Sequence, residues 1–341
     1  MGQQSSIQSL QPFEMVVDTT IAGTSGVKKF QLLLHDIFVI PTGPKYRYKV
    51  TWGDGVTSAV TSNTNIIHTY PSGGTFTIQI EGRFDNFYYA NSGEAEKIIS
   101  INSWGNIKWK YFRRAFYGST NLTGITSDAP ILESLNPHNN PFFSTDFTLA
   151  FATCQNLDSD FSNWNMSEVT ILKQFFFKCT NFNNGGSSNI SGWTTSACID
   201  MEGLFNETAF NQPIGPWDVS NVTNMTDMFR SSPFNQDISS WDVSNVTNMV
   251  SMFQNATGFS QDIRSWNVSG VTNMTDMLDN TDISLDNYNS ILTGWTGWDG
   301  TGATKTLQSN VTFGVENLTY STGTTADDAR NYLLTGLSWT I

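Results

Sequence analysis

Apolar residues recur at fixed distances from a tryptophan over the second half of the chain. The segment Trp217–Phe229 is repeated almost letter for letter at Trp241–Phe253 and, with leucine in place of the last phenylalanine, at Trp266–Leu278. Successive tryptophans are 24 and 25 residues apart. A period of this length predicts an array in which each unit is one small supersecondary element packed on the next.

Each unit combines two hydrophobic patterns. Over residues 238–244, Trp241 and Val243 alternate with polar residues, which predicts a strand with one buried face. Further along the unit the apolar residues are three or four positions apart, which predicts a helical turn. In the unit of Trp217 these positions are Val222, Met225, Met228 and Phe229. We therefore expect parallel strands stacked about 4.8 Å apart.

Looser copies of the unit lie upstream. Units with the same offsets begin at Trp193 and Trp164, and two degenerate units surround Phe147–Phe151 and Trp104–Phe116. The pattern predicts about six units between residues 98 and 280.

The array resembles the BspA-like leucine-rich repeat surface proteins. Their signature, WDVSNVTNM followed by MF and FNQ-I, is matched by Asn211–Phe229 and Asn235–Phe253. The resemblance implies a leucine-rich-repeat-type solenoid that is closed by a C-terminal cap. In that cap Thr325–Leu334 has helical apolar spacing and an acidic first turn, which predicts a closing helix.

The region before the array predicts strands. Tyr48–Gly55 and His68–Gly82 read as two strands with Asp-Gly and Pro-Ser-Gly-Gly turns, and Phe30–Ile40 and Ile98–Trp104 predict others. This W-G-D-G and H-T-Y pattern resembles a PKD-like (Ig-like) β-sandwich, a spacer and adhesion module. Because no flexible linker follows it, we expect the sandwich to cover the open end of the first repeat unit.

These elements predict a mainly β protein with short helices. The expected order is an N-terminal arm or attachment segment (1–25), a PKD-like β-sandwich (26–97), a BspA-like leucine-rich repeat solenoid (98–280) and a C-terminal cap (281–341).

Composition narrows the choice of partners. The chain has 30 acidic and 17 basic residues, a net charge of −13, which argues against binding to a nucleic acid or an anionic membrane, since both require a basic face. Its three cysteines form neither a closed disulfide framework nor a zinc signature. Cys154 and Cys179 occupy equivalent positions, and we expect both to be buried, reduced neighbours. No cofactor or metal is expected.

Two groups of residues are candidates for a binding surface. The first consists of two rows on the predicted strand face, namely Asp218, Asp242 and Asn267, and Ser220, Ser244 and Ser269. Such rows suit an extended glycan or peptide, although plain solvation explains them as well. The second group is the loop aromatics Phe87, Tyr88 and Tyr89, which the same pattern also permits as strand core.

Three functional hypotheses follow. The first ten residues contain no secretory signal and no membrane span is evident, which favours a non-enzymatic virion surface protein of the bacteriophage capsid or tail decoration or fibre type. Its partners would be other virion proteins and a host cell-surface glycan or protein, with a homo-oligomer left open. The alternative is a bacterial cell-surface adhesin.

The third hypothesis is a glycan-active enzyme with a carboxylate ladder at Asp218 and Asp242. Asn267 breaks that ladder, and Asp54 with His68 is expected to fix a turn and a strand edge. We therefore expect no enzyme.

Overall fold

The computed structural model describes residues 11–34, 46–62, 64–84, 86–109, 112–132 and 146–341. Within them the protein is mainly β with a few short helices, which confirms the predicted fold class at that level. The strands are β1 Phe13–Asp18, β2 Lys29–Leu32, β3 Arg47–Thr51, β4 Thr57–Val60, β5 Ile66–Thr69, β6 Thr75–Arg83, β7 Ile98–Ser103, β8 Lys108–Trp109, β9 Gly124–Ile125 and β10 Ile131–Leu132. The helices are α1 Leu285–Thr296 and α2 Thr325–Asn331. Short 3-10 turns lie at Ala95–Lys97, Asn184–Gly186 and Ser188–Gly192, and a π turn at Tyr332–Gly336.

Six strands form one sheet in the order β4-β3-β6-β1-β7-β9, and β1 is a central strand. It pairs antiparallel with both β6 and β7, and its alternate residues Phe13, Met15 and Val17 are fully buried. The prediction of an N-terminal arm over residues 1–25 is therefore wrong for this segment. The period-two pattern of residues 13–18 places one face in the core, as expected for a strand. Residues 1–10 lie outside the described residues.

The sheet continues into the first repeat unit. Strand β7 pairs antiparallel with β1 and parallel with β9, so hydrogen bonding crosses the predicted boundary at residue 97. The Phe13 ring lies 5.3 Å from Trp109 and 5.9 Å from Trp104, centroid to centroid. The two smaller sheets pair β2 with β5 and β8 with β10.

A buried ion pair fixes the loop between β1 and β2. Lys97 Nζ lies 3.1 Å from Glu94 Oε1, and neither side chain is exposed. The Glu94 carboxylate accepts from the N–H groups of Ser25 and Gln31, at 2.6 and 2.9 Å. Lys97 donates to the carbonyls of Gly26 and Lys29. Because both charges are paired and hydrogen-bonded, the large cost of burying them is offset.

From residue 112 onward, consecutive units run parallel and bond to one another through short segments that we call rungs. The N–H groups of Met225, Asp227 and Phe229 each donate at 2.9 Å to a carbonyl of the next unit. The N–H groups between them bond within their own unit: Thr226 donates to Asn224 Oδ1 at 3.1 Å, and Met228 donates to the Met225 carbonyl at 3.3 Å. The described residues contain seven rungs, at 112–119, 147–154, 172–179, 201–208, 225–232, 249–256 and 274–281.

The strand-like pairing and the turns occupy the opposite halves of the unit from those predicted. Parallel bridges link Asn224 to Asn248 and Asn248 to Asn273, in the half where a helical turn is expected. The segment 238–244, predicted to be a strand, consists of turns and irregular backbone. The buried residues of a rung are three and four positions apart, which is the spacing of a helix. The backbone is nevertheless paired with the next unit through alternate N–H groups, and for this reason the prediction of a helical turn was wrong.

Left-handed backbone conformations produce this spacing. Each rung has two residues with positive φ, four positions apart, such as Asp227 at 56° and Ser231 at 54°. Only Gly118 and Gly203 of these 14 residues are glycines. A left-handed conformation costs a non-glycine residue roughly 1–2 kcal/mol, so the hydrogen bonds between rungs must offset a repeated local strain.

The apolar repeat residues form the core, as predicted. The rings of Phe205, Phe229 and Phe253 follow one another at 5.9 and 5.5 Å with nearly parallel planes. The tryptophans of the later units also bond to the preceding unit: the indole N–H groups of Trp217 and Trp241 donate to isoleucine carbonyls at 3.0 and 3.2 Å.

The last repeat unit is followed by two further parallel bridges. Met274 pairs with Phe313, and Thr312 pairs with Thr340. Helix α1 begins at the Ser284 N-cap and ends at Gly297, whose φ is 62°. Helix α2 packs against α1 and is shorter than the predicted closing helix, because residues 332–336 form a π turn.

Candidate binding surfaces of the repeat segment

The two predicted rows are present on the surface, but their side chains bond to each other. Asp218 Oδ1 accepts from the N–H and the hydroxyl of Ser220, at 3.0 and 2.6 Å. Asp242 and Asn267 accept from the N–H groups of Ser244 and Ser269 in the same way. The residues of the first row, Asp218, Asp242 and Asn267, are exposed. The serines of the second row are half-buried. The residues of both rows lie beside turns and not in the rungs, where the backbone pairs between units.

The serine contacts keep the two carboxylates ionised. The hydroxyl and N–H of Ser220 lower the pKa of Asp218, and those of Ser244 lower the pKa of Asp242. The negative charge of Asp218 opposes this lowering at Asp242, because two carboxylates repel each other.

Other polar residues of the signature link one unit to the next. The Asn221 and Asn245 amides donate to the Ser196 and Ser220 carbonyls of the preceding unit, at 2.8 and 2.7 Å. The Thr247 hydroxyl donates to the Thr223 carbonyl at 3.2 Å. The asparagines of these N-x-T triplets therefore have a structural function.

The outward side of the rungs carries a group of ion pairs that the sequence did not reveal. Between adjacent rungs, Lys173 lies 2.7 Å from Glu202 and Lys178 lies 3.5 Å from Glu207. Asn224 also donates to Glu202 at 3.1 Å. The pairs Arg113–Asp146 and Arg230–Asp227 are separated by 3.3 and 3.8 Å.

Desolvation raises the pKa of two carboxyl groups on this side, Asp200 and Asp227. Burial raises the pKa of Asp200, and the Glu202 charge adds to that effect, whereas the Glu202 N–H and the Lys173 charge oppose it. A partly desolvated carboxyl beside an ion pair is common at binding surfaces, but it also occurs in structural ion-pair networks.

Next to the ion pairs, equivalent residues of four successive rungs form a row that we call the aromatic row: Tyr117, Ala152, Phe177 and Asn206. Backbone bonds from Gly118 to Ala152, Thr153 to Phe177 and Lys178 to Asn206 establish its order, at 3.0, 2.6 and 2.9 Å. Tyr117 and Phe177 are half-buried, whereas Ala152 and Asn206 are almost fully buried. The Lys178 ammonium lies 5.2 Å from the centre of the Phe177 ring. The only sequence indication was Phe177 itself, an aromatic residue at a position that is polar in later units.

The second predicted patch is not a surface. Phe87 and Tyr89 are fully buried, and the Phe87 ring packs 5.3 Å from Phe13 and 5.8 Å from Phe116. Tyr88 is half-buried and accepts a hydrogen bond from Arg114 at 3.1 Å. Phe87 and Tyr89 therefore belong to the core between the six-stranded sheet and the first rung, although residues 86–89 do not form a strand.

Asp54 and His68 form a nearly buried pair. His68 Nε2 lies 2.7 Å from Asp54 Oδ2, with the two side chains 11 % and 6 % exposed. The imidazole stacks on Trp52 at 4.7 Å and meets Tyr70 edge-on at 4.5 Å. Desolvation of Asp54 is outweighed by its hydrogen bonds with His68 and the Val56 N–H, so its pKa is lowered. The contacts fix the β3–β4 turn against β5.

The described residues bring together no group of three His, Cys, Asp or Glu side chains that could hold a metal ion. No helix in this part of the chain has the length and apolar character of a transmembrane span. Cys154, Cys179 and Cys198 are free and buried. Burial raises the pKa of the Cys154 thiol, and a hydrogen bond with Cys179 raises it further, as expected for neighbours in adjacent rungs.

Comparison with known proteins identifies a family. Neither the curated proteins nor the solved structures contain a significant match to the chain. The profile of one family, described as "Mycoplasma protein of unknown function, DUF285", matches three overlapping segments, 87–189, 145–231 and 185–295. Together these segments cover residues 87–295, more than half of the chain and all seven rungs. The chain therefore belongs to the DUF285 family.

Proposed function

We propose that the protein is a non-enzymatic attachment protein displayed on the surface of a bacteriophage particle. In this proposal the rungs form a leucine-rich-repeat-type solenoid of the BspA-like kind, and residues 281–341 cap it. The six-stranded sheet belongs to a PKD-like sandwich that acts as a spacer, and the residues before β1 attach to other virion proteins. The solenoid binds a glycan or a protein on the surface of the host cell.

The observation that carries this proposal is the bonding between units. Tryptophan, asparagine and threonine side chains all bond to the preceding unit, as Trp241, Asn245 and Thr247 do. These bonds supplement the backbone bonds between the rungs. A segment held in this way is a stiff support for a long, regular surface, which suits binding better than chemistry.

The bacterial cell-surface adhesin remains the second candidate. The description of the DUF285 family names Mycoplasma proteins, which favours a bacterial cell as the site of display. Both candidates use the same binding surface. They differ in whether the chain is anchored to a phage particle or to a bacterial cell.

A glycan-active enzyme has less support. Hydrolysis of a glycoside by a pair of carboxyl groups requires one group with a raised pKa to act as the acid. Asp218 and Asp242 both have lowered pKa values because of their serine neighbours.

Mass spectrometry of purified phage particles and of host-cell envelope fractions tests the mode of display. The proposal predicts peptides from residues 87–295 in particles at a constant ratio to the major capsid or tail protein. Peptides found only in envelopes would contradict it and favour the adhesin.

A further inference from the structure

Strand β5 forms an open edge of the smaller sheet that it shares with β2. It pairs antiparallel with β2 over Ile66–Thr69, and no described strand pairs with its other side. Ile67 and Thr69 are exposed. Ile67 is 56 % exposed, the largest fraction among the large apolar residues that the structure describes. An uncovered strand edge is a template for pairing with another chain.

The direction of the backbone groups in β5 follows from contacts on the far side of β2. There the N–H of Gln31 and the carbonyl of Lys29 bond to the buried ion pair described above, at 2.9 and 2.7 Å. These groups point away from β5, so the residues opposite them, Ile67 and Thr69, direct their own N–H and carbonyl groups away from β2. Within the described part of the chain nothing bonds to those groups.

The edge lacks the protection that natural proteins commonly give to such strands. Lysines, prolines and bulges are the usual devices, and β5 contains none of them. Between Gly55 and Ile80 the sequence has no Asp, Glu, Lys or Arg. Strand β4 has a second open edge, but the exposed residues of that strand, Thr57 and Ala59, are small. Strand β5 is therefore the edge at which a partner strand would cover more apolar surface.

The distribution of charge indicates which partner can approach this edge. Residues 1–132 have 11 basic and 9 acidic side chains, whereas residues 133–341 have 6 basic and 21 acidic ones. The negative net charge thus lies in the second of these segments, which includes six of the seven rungs. Two copies of the chain repel each other through their acidic segments, and they can approach closely through the segment that contains β5.

The edge is complementary to a second copy of itself. When two β5 strands pair antiparallel about a two-fold axis at His68, Ile67 of each copy lies opposite Thr69 of the other. Each such pair exchanges both of its N–H···O bonds, so the outward groups of both strands are satisfied. The side chains of Ile67 and Thr69 are β-branched and pack well across a strand pair. The result is a continuous sheet in the order β2-β5-β5-β2.

We propose that the protein is a homodimer in which the β5 strands of two copies pair antiparallel. The dimer brings together the parts of the two chains that carry no net negative charge. The inference concerns assembly and does not depend on the proposed attachment function. A dimer that does not adsorb to cells would remove only attachment, and a monomer that adsorbs would remove only the dimer.

Sedimentation equilibrium of the full chain over a range of concentrations tests the assembly. We expect a reversible equilibrium between the monomer and a species of twice its mass. Ile67→Lys places a charge on the edge and should weaken dimerisation about tenfold, because a symmetric dimer loses the same cross-strand pair twice. Ile199→Lys is the matched control, since Ile199 is 46 % exposed in the repeat segment. Its dimerisation constant should equal that of the wild type.

Amide hydrogen exchange, followed by nuclear magnetic resonance, tests the pairing in the wild type. The N–H groups of Ile67 and Thr69 should exchange about tenfold more slowly at a concentration where the dimer predominates than where the monomer does. The N–H of His68 already points towards β2, so its exchange should change little and serves as the internal reference.

The proposal is overturned if the wild type is monomeric at every concentration or if the two lysine variants dimerise equally well. It is also overturned if protection appears at Thr57 and Ala59 of β4 in place of Ile67 and Thr69. Native amide spectra of both variants are required for their comparison. If Ile67→Lys did not fold, the exchange experiment on the wild type would decide alone.

Discussion

Trp241 illustrates how a single side chain links two units. Its indole N–H donates to the Ile214 carbonyl of the preceding unit at 3.2 Å, and the ring is buried. Trp164 occupies the equivalent position in an earlier unit, but its N–H has no partner. The two residues therefore differ in one hydrogen bond and share the same hydrophobic burial.

Replacing Trp241 by phenylalanine should lower the free energy of unfolding by about 0.5–1.5 kcal/mol more than the same replacement at Trp164, because only the first removes a hydrogen bond, although the Ile214 carbonyl keeps the N–H of Trp217 as a donor. Urea unfolding of the two variants measures the difference. Equal losses would show that ring volume alone determines the contribution of these tryptophans.

The Asp54–His68 pair predicts a dependence on pH. Because the folded pKa of Asp54 is lowered, its ionised form stabilises the protein above the unfolded pKa of about 3.9, and that stabilisation is lost as the pH falls through the folded value. Asp54→Asn should therefore unfold more easily than the wild type at pH 7, and the gap should narrow below about pH 4. Thermal unfolding at both pH values checks this, and a gap independent of pH would contradict it.

The buried thiols should be inert in the folded protein. Burial raises the pKa of Cys154 and raises that of Cys198 to about 12, so little reactive thiolate is present at neutral pH. We expect no reaction with a thiol reagent in buffer and three equivalents after denaturation, as measured by colorimetric titration. Rapid labelling of the native chain would show that the rungs open.

At the scale of the element, the rung depends on left-handed residues. Ser231 has φ of 54°, is exposed and donates its N–H to Gln254. Ser231→Gly should leave the free energy of unfolding unchanged or raise it by up to about 1 kcal/mol, since glycine adopts this conformation without strain. Ser231→Val should lower it by about 1–2 kcal/mol.

Thr257→Gly is the control for this pair of variants. Thr257 is exposed and does not have a positive φ, so glycine there should lower stability by roughly 0.5–1 kcal/mol through the entropy of the unfolded chain. If glycine had the same effect at both positions, the left-handed conformation would not be the source of strain in the rung.

The sequence predicted part of this architecture because hydrophobic spacing reports burial. It identified the core residues of the units, β7 within Ile98–Trp104, and the start of α2 at Thr325. It assigned the strand to the wrong half of the unit, because hydrophobic spacing does not reveal left-handed residues such as Asp227 that are not glycine. Strand β1 was missed although its alternation is clear, since no turn motif marked it.

The candidate site was less predictable than the fold. The rows that include Asp218 and Ser220 were chosen because they repeat. In the structure these repeated residues make hydrogen bonds within a unit and between units. Asn206 and Thr153 belong to the units that depart from the consensus, and their unpaired atoms are visible only in three dimensions.

At the scale of the whole molecule, the six-stranded sheet and the rungs are joined without a break. Strand β7 pairs with the central strand on one side and with a strand of the first unit on the other. The chain beyond the last rung continues the parallel pairing through Phe313 and Thr340. Within the described residues, this pairing links the six-stranded sheet to the rungs and the rungs to the segments around Phe313 and Thr340.

Adsorption to host cells tests the central claim, attachment, most directly. The full chain, labelled at a single site, is mixed with cells of the bacterium that the particles infect, and bound protein is counted by flow cytometry against a heat-unfolded sample. The account predicts saturable binding by the folded chain that unlabelled chain displaces and that purified particles also compete for. Binding no greater than that of the unfolded sample, or binding that does not saturate, would contradict it.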